Sequence, residues 1–457
     1  MPLNRYRSFI PDFEAFLEAC GRPLPSCVWT HPLRATPEEV ARAIAESGSV
    51  PRPSRIPGAF LTDADWNPGF TVAHFRGLFH PQEEVALTAV PALDPQPGER
   101  VLDLCASPGN KTAQIALAMQ NRGTLVANEF RHDRLASLRG NLERLGVQNA
   151  VVVLGDGAGL RLEAGPFDRV LADVPCSCEG TIRRYPHAAA RVTEGSRLKL
   201  SRTQTHLLQR AIKLTRPGGV VVYATCTFAP EENEAVVTAS LGSQGRVVPF
   251  DCPLPSQPGL TEFEGESYRD DMVHARRFLP HLSDTGGFFV AKIVVDEPKP
   301  SRTKEREPIN LMQEMGRDEA TVLWRERFGV PAHAFDGMRF YRRGAKVIWA
   351  AAESTEPGPD LAVEAIGMAL SRVRVDWPKP TTTACLQWGA SATRNIVDFT
   401  PEQREAFLHR EVVTFDAGAA ADDGFVLVRC EGAVLGCGLY LGGRVSSQLS
   451  KGRSFKR

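Results

Sequence analysis

The chain has 457 residues, 42% apolar and 24% charged, which excludes wholesale disorder and predicts roughly two to four domains with ample core. Lys+Arg and Asp+Glu each number 54, so the formal net charge is zero; the molecule is no polycation, and any nucleic-acid surface must be a local patch. No signal-like apolar run follows the polar start, the apolar runs are strand-sized rather than the ~20 residues of a membrane span, and ten cysteines are too few for a disulfide framework, so a cytoplasmic, reducing compartment is expected.

Residues 1–75 read as a small leading module. Phe9, Phe13, Phe16 and Leu17 mark one face of a short helix that Pro23 and Pro25 end. Thr36-Pro37-Glu38-Glu39 then supplies an N-cap and an N1 proline for a second helix, with Val40, Ile44 and Ala45 facing inward. Residues 76–298 alternate short apolar runs with helical spacing. Strands are expected at Arg100–Leu104, Thr124–Ala127, Ala150–Leu154, Phe167–Ala172, Val220–Ala224 and Gly287–Val294. Helices are expected at Lys111–Met119, along Leu135, Leu138, Leu142 and Leu145, and ending at Leu207–Leu214, with Pro217-Gly218-Gly219 as a turn. This alternation predicts an α/β fold, a mostly parallel sheet covered on both faces. Pro298–Pro308 (residues 299–308 at its core) reads as a linker. Residues 309–457 read as an α+β or small barrel-like module, with strands in Met338–Tyr341, Lys346–Ala350 and Phe425–Leu439.

Ligands of such sheets bind beyond the carboxyl ends of the strands, and the unusual residues of 76–298 cluster there. Asp103-Leu104-Cys105-Ala106-Ser107-Pro108-Gly109-Asn110-Lys111-Thr112 joins a strand to a helix through small residues, so backbone can approach a ligand and a helix N-terminus can face a carboxylate or phosphate. Glu129 ends the second strand, where an acid accepts ribose hydroxyls, and Asp156 follows the third, where it can hold an adenine amino group. Turn-capping is the alternative role for each acid. Together they point to a nucleotide-like ligand, and the loop matches neither a P-loop nor Gly-x-Gly-x-x-Gly, which disfavours ATPase and dinucleotide readings.

Asp173-Val174-Pro175-Cys176-Ser177-Cys178 follows the fourth strand and Thr225-Cys226-Thr227 the fifth. If those strands are neighbours, Cys176 and Cys226 meet over one pocket. Cys176-x-Cys178 with Cys226 is a poor match to zinc-site spacing, so no metal is expected. Buried inert thiols are one alternative; nucleophilic catalysis is the other. A thiolate that adds to C6 of cytosine makes C5 nucleophilic toward a sulfonium methyl donor. Asp173 stands beside the pair to stabilise the adduct, and the base must be held out of its stack.

These motifs resemble those of the NOL1/NOP2/Sun family of RNA (cytosine-5) methyltransferases, over roughly residues 10–298. Residues 103–112 look like its S-adenosylmethionine loop, Asp173-Val174-Pro175-Cys176-Ser177 like its Pro-Cys motif, and Tyr223-Ala224-Thr225-Cys226-Thr227 with Pro230-Glu231-Glu232-Asn233-Glu234 like its Thr-Cys motif. Thr285-Gly286-Gly287-Phe288-Phe289 matches its late strand, and the tail is similar, more weakly, to a PUA-type RNA-binding appendage. The resemblance implies a Rossmann-like methyltransferase core, with Cys226 as nucleophile and Cys176 assisting release, an assignment that sequence chemistry alone leaves open. It also implies that Asp173 and Lys111 lie at the target base. Cys105, Ala106, Ser107, Pro108, Gly109, Asn110, Lys111, Glu129, Arg134, Asp156 and Asp173 would hold S-adenosylmethionine. The implied partner is RNA, ribosomal RNA favoured with transfer RNA as the alternative, and the implied state is a monomer. A catalytically impaired RNA-binding factor with the same fold is the reading from another class.

The chain departs from the family at three places. Asn110 and Cys178 stand where glycine is usual, and Trp29-Thr30-His31-Pro32-Leu33-Arg34 lacks the usual Arg and Asn. Phe79-His80-Pro81-Gln82-Glu83-Glu84 is similar to the Gln-Glu/Asp motif near the donor. Arg183-Arg184-Tyr185, Arg276-Arg277-Phe278 and Lys451–Arg457 are candidate basic-aromatic RNA contacts.

Overall fold

Valine-rich runs such as Ala150–Leu154 have no polar face, and the fold buries them on both sides. In the computed structural model, which describes residues 2–188, 190, 192–296, 307, 309–373, 378–415, 421–450 and 455, they form the centre of a ten-stranded sheet. Its order is Gln257–Pro258, Arg276–Phe278, Phe288–Val295, Thr215–Thr225, Phe167–Asp173, Arg100–Asp103, Thr124–Glu129, Ala150–Leu154, Val363–Ile366, with Gly245–Val248 also paired to Phe288–Val295. The five strands from Thr215–Thr225 to Ala150–Leu154 are parallel. Helix Asn110–Ala118 packs on Thr124–Glu129, Leu135–Arg144 on Ala150–Leu154, and Glu194–Leu214 on both Phe167–Asp173 and Thr215–Thr225. Leu135, Leu138, Leu142 and Leu145 are all buried, as their spacing predicts.

Two local readings change. Pro217-Gly218-Gly219 lies inside the long strand Thr215–Thr225 rather than before it. Gly218 takes φ +72° there, and pairing with the neighbouring strand shifts register between Phe167 and Arg169, so the residues of a turn are absorbed as an irregularity of the ladder. The first helix begins at Phe13; Asp12 at φ +48° breaks the chain before it, and Phe9 packs from the preceding turn onto Tyr6 and Phe263.

The four-stranded sheet near the amino end runs Arg52–Pro53, Ala59–Thr62, Ser26–Thr30, Phe79–Pro81. Its helix Pro37–Glu46 starts with the full Thr36/Glu39 capping box. Two five-stranded sheets follow the central one: Gln313–Met315, Met338–Arg342, Val347–Ala352, Met368–Arg372, Lys379–Pro380; and Ile396–Asp398, Gly424–Cys430, Ala433–Leu441, Arg444–Ser447, Val412–Thr414. Strands from both sides of residue 76 therefore share one sheet, and Val363–Ile366 from the last third extends the central one. The expected linker lies outside the described residues except Glu307, whose carbonyl accepts from Arg161. The basic tail also lies outside them except Phe455, which packs on Phe70, Phe75 and His409. Among the described residues no helix is long and apolar enough to cross a membrane.

Candidate active site

Asp103 closes a strand at the centre of the sheet, and the chain then turns through Cys105–Pro108 into helix Asn110–Ala118. Gly109 makes the turn at φ +102°, where a Cβ would stand 3.0 Å from Leu138 Cδ1 and 3.2 Å from its carbonyl. Thr112 Oγ1 donates to Asp103 Oδ2 at 2.7 Å, while Asp103 Oδ1 is buried with no partner among the described residues. Burial pushes the Asp103 carboxyl up to about 7. Asp103, Cys105, Ala106, Ser107, Pro108, Asn110, Lys111 and Asp173 all line one cavity of about 360 Å³. The amino-terminal sheet closes it with Ser26–Val28 and Gln82-Glu83, and Arg184 reaches in from the loop after the Pro-Cys segment.

Glu129 and Arg134 lie one strand further on. Glu129 is buried, accepts the Arg131 N–H at 2.7 Å and lies 3.5 Å from Arg134 Nη1; Arg134 also donates to the Ser107 carbonyl at 2.7 Å. Arg134 thus ties the acid to the loop. Asp156 is exposed, accepts the Ala158 N–H at 3.0 Å, and lines a separate cavity of about 300 Å³ with His206 and Arg210.

The two cysteine loops meet because Phe167–Asp173 and Thr215–Thr225 are adjacent parallel strands, with Asp173 opposite Ala224. Cys176 Sγ is 3.3 Å from Cys226 Sγ and accepts the Cys226 backbone N–H at 3.3 Å. Lys111 Nζ is 2.8 Å from Asp173 Oδ2 and 5.3 Å from the centre of the Phe288 ring, and both side chains line the same cavity. Burial works against the Lys111 charge, but Asp173 outweighs it and holds the ammonium above its usual range. Cys178 Sγ lies 3.9 Å from Cys176 Sγ. The Cys176 thiol donates toward Cys178 and Cys226, which with burial holds it well above the usual thiol range. The hydrogen bond from Cys176 favours a Cys226 thiolate, but donation to Cys178 and burial outweigh it and hold the Cys226 thiol above its usual range. Cys178 receives both donors and titrates below the usual range.

Comparison with known proteins gives the family. Residues 90–294 match the family described as 16S rRNA methyltransferase RsmB/F, residues 394–454 match the methyltransferase RsmF PUA domain, and residues 300–367 match a family of unknown function. The chain is 30% identical to "Ribosomal RNA small subunit methyltransferase F" of Vibrio parahaemolyticus, over 98% of this chain and 96% of that one. The chain belongs to the NOL1/NOP2/Sun family of RNA (cytosine-5) methyltransferases. It is also 36% identical to "tRNA (cytosine(49)-C(5))-methyltransferase" of Pyrococcus abyssi, over 64% of this chain and 94% of that one. The solved structure of a methyltransferase homologue from Pyrococcus horikoshii superposes with a TM-score of 0.56 at 30% identity, covering 64% of this chain and 93% of that one. The cofactor is S-adenosylmethionine. A buried carboxylate at Asp103, lining the cavity with an Oδ1 unpartnered among the described residues, fits a ligand with a cationic amine, which this methyltransferase would hold with Asp103 and the Cys105–Lys111 loop.

Several side chains of the methyltransferase act by holding others. In Pro230-Glu231-Glu232-Asn233-Glu234, Glu232 Oε2 accepts the Ser177 N–H and Gln204 Nε2, each at 2.9 Å. Asn233 accepts Thr225 Oγ1 at 2.6 Å and donates to the Thr227 carbonyl at 3.1 Å. Glu234 forms a buried pair with Arg277. One short segment therefore anchors both thiol loops. Sequence reading placed this segment in the Thr-Cys motif without giving its side chains roles; the signal was three acids and an Asn in an otherwise buried stretch. Gly180 donates to the Cys226 carbonyl at 2.9 Å, and its own carbonyl accepts the Gly287 N–H at 2.8 Å; a Cβ on Gly180 would lie 2.2 Å from the Gly287 oxygen. Glu83 accepts the Gly286 N–H at 2.9 Å, which seats the Gln82-Glu83 motif on the late strand.

Two basic pairs expected at RNA are corrected in part. Arg183 is buried and donates to the carbonyls of Arg22, Pro23 and Thr285, and Arg277 is buried against Glu234 under the Phe9 ring, because each satisfies backbone or carboxylate acceptors inside the fold. Arg184 lines the cavity and Tyr185 is exposed. His31 is buried with Nε2 2.9 Å from the Leu145 carbonyl. Asn110 does not stand alone in the pocket: its Oδ1 is 3.0 Å from Nε2 of buried His80. Burial and Arg144 push His80 down to about 3, so the neutral ring donates at Nε2 and accepts Arg144 at Nδ1. Trp29 stacks edge-on against His80 and donates to Gln82 Oε1 at 3.1 Å.

Proposed function

We propose that the enzyme methylates C5 of a cytosine in small-subunit ribosomal RNA through a covalent adduct on Cys226. The observation that carries this is the 3.3 Å approach of Cys176 and Cys226 beside the Lys111–Asp173 pair, at the mouth of the cofactor loop. S-adenosylmethionine, when bound, supplies an electrophilic methyl group. Cys226 gives its thiol proton to solvent and the thiolate adds to C6 of the flipped base, which raises electron density at C5. Asp173, oriented by Lys111, holds the N3–N4 edge and stabilises the charge that develops there. After methyl transfer, a solvent water takes the C5 proton, the C5–C6 double bond re-forms and the Cys226 thiolate leaves C6, a release that Cys176, hydrogen-bonded to it, assists. Glu129, Arg134 and Asp156 serve the adenosine end. Residues 1–75 and 309–457 position the RNA around the core of 76–298.

Full-length similarity to a ribosomal enzyme and the RsmF PUA match support ribosomal RNA over transfer RNA, since the transfer-RNA relative pairs with 64% of this chain. The paired thiols disfavour a non-catalytic assembly factor. The test is methyl transfer from labelled donor to unmodified small-subunit RNA and to transfer RNA in parallel. Incorporation at one or a few ribosomal cytosines is expected. Incorporation only into transfer RNA overturns the substrate, and RNA binding without methylation of either overturns the activity.

A further inference from the structure

The spacing of the cysteines in sequence argues against a metal; their positions in space argue the other way. Cys176, Cys178 and Cys226 place their Sγ atoms within 4.8 Å of one another, with 3.3 Å between Cys176 and Cys226 and 3.9 Å between Cys176 and Cys178. Tetrahedral zinc with Zn–S bonds of about 2.3 Å spaces its sulfurs by roughly 3.8 Å. The triangle brackets that separation. Cys178 closes it from a backbone at φ +59°, a conformation glycine adopts freely and cysteine does not. The Cys226 N–H already donates to Cys176 Sγ, the kind of outer contact that stabilises a ligating thiolate. Cys178 is exposed and lines a groove of about 680 Å³ with Ser177, Thr181 and Arg184, which gives a cation a path from solvent.

We infer that these three cysteines form a site for a thiophilic divalent d10 cation of the zinc class, with the fourth position left to water. Each thiol that ligates gives its proton to the buffer, and no electron moves. The bound cation takes the sulfur lone pair of Cys226, so the metal-loaded enzyme cannot form the adduct. This last consequence rests on Cys226 being the nucleophile; the binding itself does not.

The test uses the full-length protein, reduced, stripped with a chelator and titrated with Cd2+ alone. Thiolate-to-cadmium charge-transfer absorption is followed for wild type, Cys178→Gly and Cys178→Ser. Glycine suits the backbone at 178, so that variant retains the fold, which circular dichroism checks. The expected result is one ion per wild-type site, with affinity lowered at least about 100-fold in both variants and a charge-transfer intensity reduced toward that of two thiolates. The buried Cys385 and Cys437 are unchanged in all three proteins, so any uptake there cancels in the comparison. Equal affinity and equal intensity in wild type and Cys178→Gly overturns the site. Zn2+ is expected to stop methyl transfer by wild type, reversibly with chelator, and to leave Cys178→Gly active. A three-sulfur binding signature with methyl transfer undisturbed keeps the site and overturns attack by either Cys226 or Cys176.

Discussion

Replacing Asp103 by Asn removes a charge and almost nothing else. The Asn carbonyl still accepts from Thr112, and the side chain keeps its volume in a site with no exposure to spare. What is lost is the charge of a buried carboxylate that lines the cavity and that the Cys105 N–H also favours. A hydrogen bond to a charged group contributes about 1.5–3 kcal/mol, so donor affinity should fall roughly 10- to 100-fold. The same carboxylate sets a pH dependence. Its pKa in the free protein is raised to about 7 by burial, so below that pH the site is mostly neutral and a cationic amine must displace a proton to bind. Donor affinity in wild type should therefore weaken by up to about tenfold per pH unit below 7, a range in which the amine itself stays protonated. The variant should show no such slope. Calorimetric titration with S-adenosylmethionine from about pH 5.5 to 7.5 measures both quantities. Affinity of Asp103→Asn within twofold of wild type, or an unchanged slope in the variant, refutes the placement of the amine at Asp103.

Cys226→Ala should abolish both methylation and covalent capture of RNA while leaving donor binding intact, whereas Cys176→Ala should accumulate an adduct visible on a denaturing gel; capture that depends on Cys176 instead reverses the roles. Glu232→Ala leaves the Ser177 N–H and the Gln204 amide without their acceptor, at about 1–3 kcal/mol each, and should lower the methylation rate with little change in donor affinity. Equal losses in both would place Glu232 at the donor. Glu234→Gln strands a fully buried guanidinium and should destabilise the central domain by about 3–5 kcal/mol in urea unfolding, and a variant as stable as wild type would show that Arg277 finds other acceptors.

The parallel sheet was legible because its strands are continuous apolar runs, and the strand ends were legible because acids and thiols interrupt those runs. Adjacency of the fourth and fifth strands was a condition of the sequence reading; the structure supplies it, and the thiols meet as that adjacency requires. The extension of the sheet by Val363–Ile366 was not legible, since a four-residue run distant in sequence carries no sign of its partner. Arginines misled for a related reason. Arg183 and Arg277 look like RNA contacts beside aromatics, yet backbone carbonyls and Glu234 from distant segments satisfy them inside the fold. The departures from the family resolved in the same way. Asn110 faces His80, and Trp29 packs on the same ring, so two changes that look independent in sequence share one buried network.

That pattern bears on how a two-thiol mechanism is kept in register. Each sulfur rides on a loop beyond a strand end, where backbone is held least by the sheet. Under the proposed roles, a shift of a fraction of an ångström between the loops would change which sulfur reaches C6. The fold answers with one segment that grips both: Glu232 takes the backbone of the first loop, and Asn233 takes a side chain and a carbonyl of the second. Gly180 adds a direct bond from the first loop to the Cys226 carbonyl. These anchors come from the residues directly after the strand Thr215–Thr225 that carries Cys226 at its end, so both loops are held from one nearby segment. The leading module walls the cavity through Ser26–Val28 and also reaches the loops themselves: Tyr6 donates to Glu179, Arg5 pairs with Glu231, and the Arg22 and Pro23 carbonyls accept Arg183.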